Sequence, residues 1–344
     1  MYRNASRYLF LFLLIPFSGD AAESAGSMAE CAKIEKDAER LKCFDELAGK
    51  KVAGQATNPP SAAATAAIKE SSPESKQQSV MSKQWDLDTE HRKHAFALRP
   101  YRPNYFLPVT YNSSPNDDTA LDFDPNAKSQ HTEAKFQLSF KIKLWEDLFD
   151  KNIDLWLAYT QLAFWQLYNT PFSSPFRDTS YEPELLVNFR TNYELFGFKG
   201  RFINVGLNHQ SNGRSVPLSR GWNRIVANFG WEKNNFNLLL KTWYRIPEDE
   251  NHDDNPDITR YMGYGELWGT YYWKKQRFAV MFRNNLRLEN NFGAIQLDWS
   301  FPLPFIKNDL LCLYVQYFNG YVEGLLDYNK SINRISTGFM LADW

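Results

Sequence analysis

The sequence predicts an all-β protein: a twelve-stranded antiparallel transmembrane β-barrel preceded by a short helical and disordered periplasmic N-terminal segment. Three observations carry that prediction. From Trp85 onward the 344-residue chain consists of aromatic-rich stretches in which apolar and polar side chains alternate, the period of a strand rather than a helix. Aromatic residues reach 16%, yet mean hydropathy is only −0.52, and beyond the N-terminus no apolar run approaches the ~18 residues a spanning helix needs. The links between stretches are tight at Lys233-Asn-Asn235 and Lys274-Lys-Gln276 but long and polar at 115–130, 169–180, 248–257 and 320–331. Short turns at one end and long loops at the other are the organisation of an outer-membrane barrel.

The elements follow in chain order. Arg3 and Arg7 precede an apolar run from Tyr8 to Phe17 and then small and polar residues, which reads as a secretory signal peptide over residues 1–22. Residues 23–50 read as a small helical segment, where Cys31 and Cys43 flank a helix-favouring stretch. In an exported chain such a pair is expected to form a disulfide, the alternative being two unpaired thiols. Residues 51–84 shift to Ala, Ser, Thr, Pro, Gln and Lys. That composition buries too little apolar surface to order itself and reads as a disordered linker. Residues 85–344 form the barrel, with strands expected near 103–112, 132–145, 152–169, 182–195, 199–212, 221–232, 235–246, 258–273, 277–287, 292–301, 309–321 and 331–344. Cys312, in an apolar strand, reads as a small buried or lipid-facing side chain. The balance of 39 basic against 40 acidic residues argues against nucleic acid as a partner.

Parity then points to chemistry, because successive strand side chains face opposite sides. Ile203, Val205 and Leu207 are apolar while Asn204, Gly206, Asn208 and Gln210 are not, so the odd face meets lipid. His209 and Ser211 continue that face toward a glycine-containing turn. On the next strand Asn223 shares a face with Ile225, Ala227, Phe229 and Trp231. His209, Ser211 and Asn223 are therefore expected to cluster outside the barrel at the membrane boundary. There the imidazole would take the hydroxyl proton and the amide oxygen would orient the ring. A carboxylate in the place of Asn223 would be costly so close to hydrocarbon. Gln161 lies on an otherwise apolar row with Leu157, Tyr159, Ala163 and Trp165, and an unpaired amide in hydrocarbon costs several kcal/mol. A partner across a dimer interface would satisfy it, as would wet headgroups.

The segment Asn208-His-Gln-Ser-Asn-Gly-Arg-Ser215, followed by Ser219-Arg-Gly-Trp-Asn-Arg224, closely resembles the catalytic region of the outer membrane phospholipase A family. Tyr159-Thr-Gln161, Ser173-Ser-Pro-Phe-Arg177, Tyr181-Glu-Pro183 and the stretch Asp253-Asp-Asn-Pro-Asp-Ile-Thr-Arg-Tyr-Met-Gly-Tyr264 extend the resemblance. It runs from about residue 95 to the C-terminus and leaves out residues 23–84. It implies a calcium-dependent phospholipase of the bacterial outer membrane that hydrolyses sn-1 and sn-2 acyl esters of phospholipids and lysophospholipids and is active as a homodimer. Ser211 resembles the nucleophile, His209 the base, Asn223 the orienting residue and Gly213 the oxyanion donor. For Ca²⁺, Arg214 resembles a ligand through its carbonyl and Ser219 one through its side chain. Ser173 resembles the serine given by the partner subunit, and Gln161 an interface residue. Val216 departs from the family, standing where an acidic residue serves a second calcium position, although Asp254 is kept. The alternative function is a non-catalytic porin or structural barrel, which would need its polar residues in the lumen rather than among lipid chains.

Overall fold

Alternation along the strands closes the chain into a ring. The computed structural model describes residues 31, 33–34, 36, 39–41, 43–44, 79–92, 95–116, 128–249, 251, 253–303 and 310–342. Thirteen strands follow one another: β1 (Leu98–Pro100), β2 (Tyr105–Asn112), β3 (Thr132–Trp145), β4 (Ile153–Trp165), β5 (Phe176–Leu195), β6 (Phe198–Ser211), β7 (Gly221–Lys233), β8 (Phe236–Ile246), β9 (Gly265–Trp273), β10 (Gln276–Asn284), β11 (Gly293–Pro302), β12 (Leu311–Gly320) and β13 (Ile332–Leu341). Each strand from β2 to β13 pairs antiparallel with the next, and β13 pairs back onto β2, so the wall is a closed barrel of twelve strands. The short β1 pairs with β3 beyond the end of β2, Pro100 facing Phe140 where Tyr105 faces Gln137. It is thus the lower piece of an interrupted first strand. Closure removes the exposed edges that a membrane cannot solvate.

Strand parity sorts the two faces as the sequence predicts. Val205, Leu207, Ile225, Leu157 and Leu185 are exposed on the outside, whereas Asn204, Asn208, Arg224, Glu184 and Lys141 are buried inside. The interior is filled by ion pairs, among them Lys135 with Glu323 at 2.8 Å, Arg334 with Glu133 at 2.6 Å, Arg224 with Glu182 at 2.9 Å and Lys241 with Glu266 at 2.9 Å. Buried charge is tolerated there because each of these groups has an opposite partner.

The interior also holds a helix, α1 (Val80–Trp85). Ser79 caps it, accepting from the Ser82 N–H, and itself hydrogen-bonds to Glu232 beside the tight turn between β7 and β8. The chain therefore enters the barrel by its short-turn mouth. Met81, Trp85 and Leu87 pack against Trp156, Phe202 and Trp222, with the Trp85 ring 4.9 Å from Phe202 and 5.7 Å from Trp156. Just past the helix, buried Asp86 pairs with Arg99 and Lys143. The linker expected to run to residue 84 thus ends earlier, because a short helix carrying Met81 and Trp85 finds an apolar patch inside the barrel. Burial of such side chains is worth roughly 2–3 kcal/mol each.

Two strand limits also move. The stretch expected as strand from 258 begins as a helix, α2 (Ile258–Met262), whose Ile258 and Met262 are buried, and β9 starts only after Gly263 turns the backbone at φ +66°. The fourth barrel strand, β5, starts at Phe176 rather than near 182. Cys312 faces inward and is buried. In the N-terminal segment Cys31 and Cys43 are disulfide-bonded, their Cα atoms 5.6 Å apart, and residues 31, 39–41 and 43–44 are helical. The signal peptide and residues 51–78 of the expected linker lie outside the described residues.

Candidate active site on the outer face

The residues of interest gather where β6 and β7 leave the membrane at the long-loop end. Antiparallel register puts His209 opposite Asn223 and Ser211 opposite Gly221, with Tyr181 of β5 opposite Ser211 on the other side. All share the outward face with Val205 and Leu207. His209 Nδ1 lies 2.8 Å from Asn223 Oδ1, and Asn223 Nδ2 donates to Glu248 Oε1 at 2.9 Å. With the amide nitrogen committed to a carboxylate, its oxygen must accept from the ring, which makes Nδ1 the protonated nitrogen and leaves Nε2 as the basic one. Gly221 presents no side chain beside Ser211, and a Cβ there would sit 3.4 Å from that of Ser211.

The loop 212–220 is held by one buried amide. Asn212 accepts from the backbone N–H of Arg214 and of Arg220 and donates to the Leu218 carbonyl at 2.8 Å. Gly213, next in sequence, has φ +66°, and a Cβ there would also meet the Tyr181 ring at 3.2 Å. Glycine suits both constraints. Arg214 reaches back to the carbonyls of Phe176 and Arg177, which ties this loop to the start of β5.

Ser219 hydrogen-bonds to Asp254, and Asn255 accepts from the Gly221 N–H at 2.8 Å. Asp253 pairs with Arg245 at 2.6 Å. Through these contacts the loop between β8 and β9 braces the one between β6 and β7. Tyr328, in the loop between β12 and β13, donates to Asp257 at 2.6 Å. Burial, then that hydrogen bond and the Asp257 charge, push its phenol up, so it stays a neutral donor.

On the luminal side the same strands are locked. Asn208 donates to Glu182 and Glu184, and Gln210 accepts from Trp222 and Arg224. Glu182 is further paired with Arg102 at 2.7 Å. The outer cluster thus rests on a stiff backing, as a site needs when a misplacement of about 1 Å can cost 10²-fold in rate.

Of the residues singled out in the sequence, His209, Ser211, Asn223, Gly213, Arg214 and Ser219 come together at this one corner. Ser173 is apart from them, exposed at the end of a 3₁₀ turn (Thr170–Phe172) in the loop between β4 and β5. Gln161 faces outward from β4, and among the described residues only the Tyr159 hydroxyl lies near its oxygen, at 3.4 Å. Among the described residues no group of three His, Cys, Asp or Glu side chains could hold a metal. The oxygen donors available at the corner are the Ser219 hydroxyl with the neighbouring Asp254 carboxylate and the backbone carbonyls of the loop. Sequence reading missed Glu248, Asn212 and Asn255. Glu248 was within reach of it, since the register that pairs Asn223 with Ile246 places residue 248 two further along on the same face.

Comparison with known proteins gives a consistent picture. A family model described as phospholipase A1 matches residues 81–341. The phospholipase A1 of Escherichia coli K12 is 39% identical over 248 residues, covering 72% of this chain and 82% of that protein. A relative from Neisseria meningitidis serogroup B is 32% identical and covers 98% of this chain, so that similarity includes the N-terminal segment. Among solved structures, outer membrane phospholipase A from Escherichia coli is similar with a TM-score of 0.66 at 37% identity, covering 72% of this chain and 94% of that one. The Salmonella typhi outer membrane phospholipase dimer with bound calcium gives 0.67 at 36% identity, covering 73% and 95%.

Proposed function

The chain belongs to the phospholipase A1 family, enzymes that hydrolyse phospholipid esters, and from that premise we propose that it is a calcium-dependent outer-membrane phospholipase acting through Ser211, His209 and Asn223 on the lipid-facing side of its barrel. The observation that carries this reading is the 2.8 Å contact between His209 and Asn223 beside Ser211, on the outer face rather than in the lumen. Substrate ester groups lie at the height of the headgroups, level with the end of β6. The lumen holds α1 and charges paired with one another around a cavity of about 280 Å³, which gives the porin alternative no support.

The chemistry follows from the groups. Ser211 Oγ attacks the acyl carbonyl carbon as His209 Nε2 takes its proton, and the imidazolium so formed is held by its Nδ1–H donating to Asn223. The Gly213 N–H is the candidate donor to the oxyanion, a type of contact whose loss typically costs about 10²–10³ in rate. Collapse expels the lysophospholipid alkoxide, which receives the proton from His209 and leaves an acyl-Ser211. Water then attacks with His209 again as base, releasing the fatty acid and restoring the hydroxyl. Lipid can approach from the bilayer with either chain leading, which leaves both sn-1 and sn-2 esters, and lysophospholipids, open as substrates.

The donor set fits calcium. Ser219 with Asp254 at its side, the Arg214 carbonyl, and Ser173 from the partner subunit are all hard oxygen donors. When bound, the ion would supply positive charge close to the developing oxyanion. The exposed Ser173 and the half-satisfied Gln161 on the lipid-facing row support a homodimer as the active form. Hydrolysis of phospholipid in detergent, with and without a chelator, tests the reading. Ser211→Ala and His209→Ala should each abolish it, by at least about 10³-fold, and Asn223→Ala should cost less, because members of such a unit act together but unequally. Near-normal activity in Ser211→Ala would overturn the assignment.

A further inference from the structure

We propose that Glu248 is a positioning residue for this hydrolytic site, fixing which end of the Asn223 amide faces His209. The inference rests on the roles given above to Ser211, His209 and Asn223. The two ends of an asparagine amide have nearly the same shape and opposite hydrogen-bonding character. Only the carbonyl end can accept from Nδ1–H; turned around, the amide would offer an N–H to an N–H, and the ring would lose its orientation. A carboxylate resolves the ambiguity because it can only accept. With Glu248 Oε1 2.9 Å from Asn223 Nδ2 and Asn223 Oδ1 2.8 Å from His209 Nδ1, a flip would break both hydrogen bonds at once.

The placement of the charge has its own logic. Asn223 sits within a lipid-facing row, where a carboxylate would be costly. Glu248 lies two residues beyond the end of β8, after Pro247, in a half-buried loop position outside the sheet. Pro247 cannot donate a ladder hydrogen bond and restricts the backbone around it, which ends the strand and turns the following residue back over Asn223. The neutral amide therefore occupies the strand, and the charge that orients it is kept at the rim where water can reach it. His209, Asn223 and Glu248 form a relay of three side chains across β6, β7 and the start of the next loop.

Kinetics of variants shown to be folded, by their shifted migration on gels before and after boiling, test the proposal. Glu248→Ala should lower kcat by about tenfold with KM unchanged, and Glu248→Gln by less, because its amide oxygen can still accept from Asn223 while losing the one-way preference. In an Asn223→Ala background neither change should have a further effect, since there is no amide left to orient. In an Asn223→Asp background the sign should reverse. Aspartate accepts from the ring at either oxygen and faces Glu248 as a like charge, so Glu248→Gln should raise activity. Wild-type kcat in Glu248→Ala, a full-sized loss in the Asn223→Ala background, or a further loss in the Asn223→Asp background would each overturn the proposal. Activity surviving in Ser211→Ala would instead overturn the underlying reading, so the two failures are distinguishable.

Discussion

Asn255 accepts a hydrogen bond from the backbone N–H of Gly221, the residue directly across the sheet from Ser211. A completely buried side chain in the loop between β8 and β9 thereby clamps the first residue of β7, and a distant loop sets the height at which the two halves of the site meet.

Asn255→Ala should leave the half-buried Gly221 N–H without its partner, a local cost of about 1 kcal/mol. The expected outcome is a fall in kcat of roughly tenfold or more with the barrel intact by gel migration and circular dichroism. Loss of the barrel itself would show that the contact supports the fold rather than the site.

Gln161→Ala removes an amide from the lipid-facing row of β4. Interhelical hydrogen bonds in membranes average about 0.6 kcal/mol and reach about 1.7, so the proposed dimer should weaken roughly three- to twentyfold. By linkage the calcium concentration for half-activation should rise in step. Sedimentation in detergent across a calcium titration, with activity followed in the same samples, reads both. A normal dimer would remove Gln161 from the interface.

Glu323, in the loop between β12 and β13, is buried, which alone would raise its pKa. The neighbouring charges of Arg334 and Lys135 outweigh that and hold its carboxyl below the usual range. A depressed folded-state pKa stabilises the protein above the ordinary carboxylate value of ~4.3, and the contribution is lost as pH falls through the folded value. Glu323→Gln should therefore lower the unfolding midpoint at pH 7, with the gap to the parent protein closing toward pH 3. A gap independent of pH would show that packing, not charge, holds the loop.

Trp85→Ala should empty a pocket between Trp156 and Phe202 and destabilise the barrel by about 3–5 kcal/mol, the usual cost of such a truncation. Deleting residues 23–72 should leave the unfolding midpoint unchanged. Equal effects of the two changes would show that α1 does not anchor inside the wall.

The barrel was legible in the sequence because both of its signals are local: period-two alternation, and turns of unequal length. For the same reason His209, Ser211 and Asn223 could be placed on one face by counting, and the family resemblance then gave them roles. What escaped was set by distant contacts. The stretch Val80–Trp85 follows a low-complexity run and is a single turn and a half of helix, too short to show a period. It is ordered by Trp156 and Phe202, which lie far along the chain. Ile258–Met262 carries aromatic and branched residues that read as strand, but a loop excursion and the left-handed Gly263 make it a helix. Asn212 and Asn255 are polar residues in loops, indistinguishable in the sequence from solvated ones until the structure shows them buried.

The wall closes where β2 meets β13, a seam at which Ser113 bonds to Asn333 across 220 residues of sequence. Every other neighbouring pair of strands can zip as soon as both have been made, but this seam has to wait for the end of the chain, and long-separation pairing is slow to form. The helix that fills the interior immediately precedes the strands at that seam. Assembly then has two routes: α1 settles against the inner surface of the sheet before β13 docks onto β2, or it enters afterwards through the short-turn mouth. The short-turn mouth, where Ser79 meets Glu232, is then where assembly of this protein can be helped or stalled.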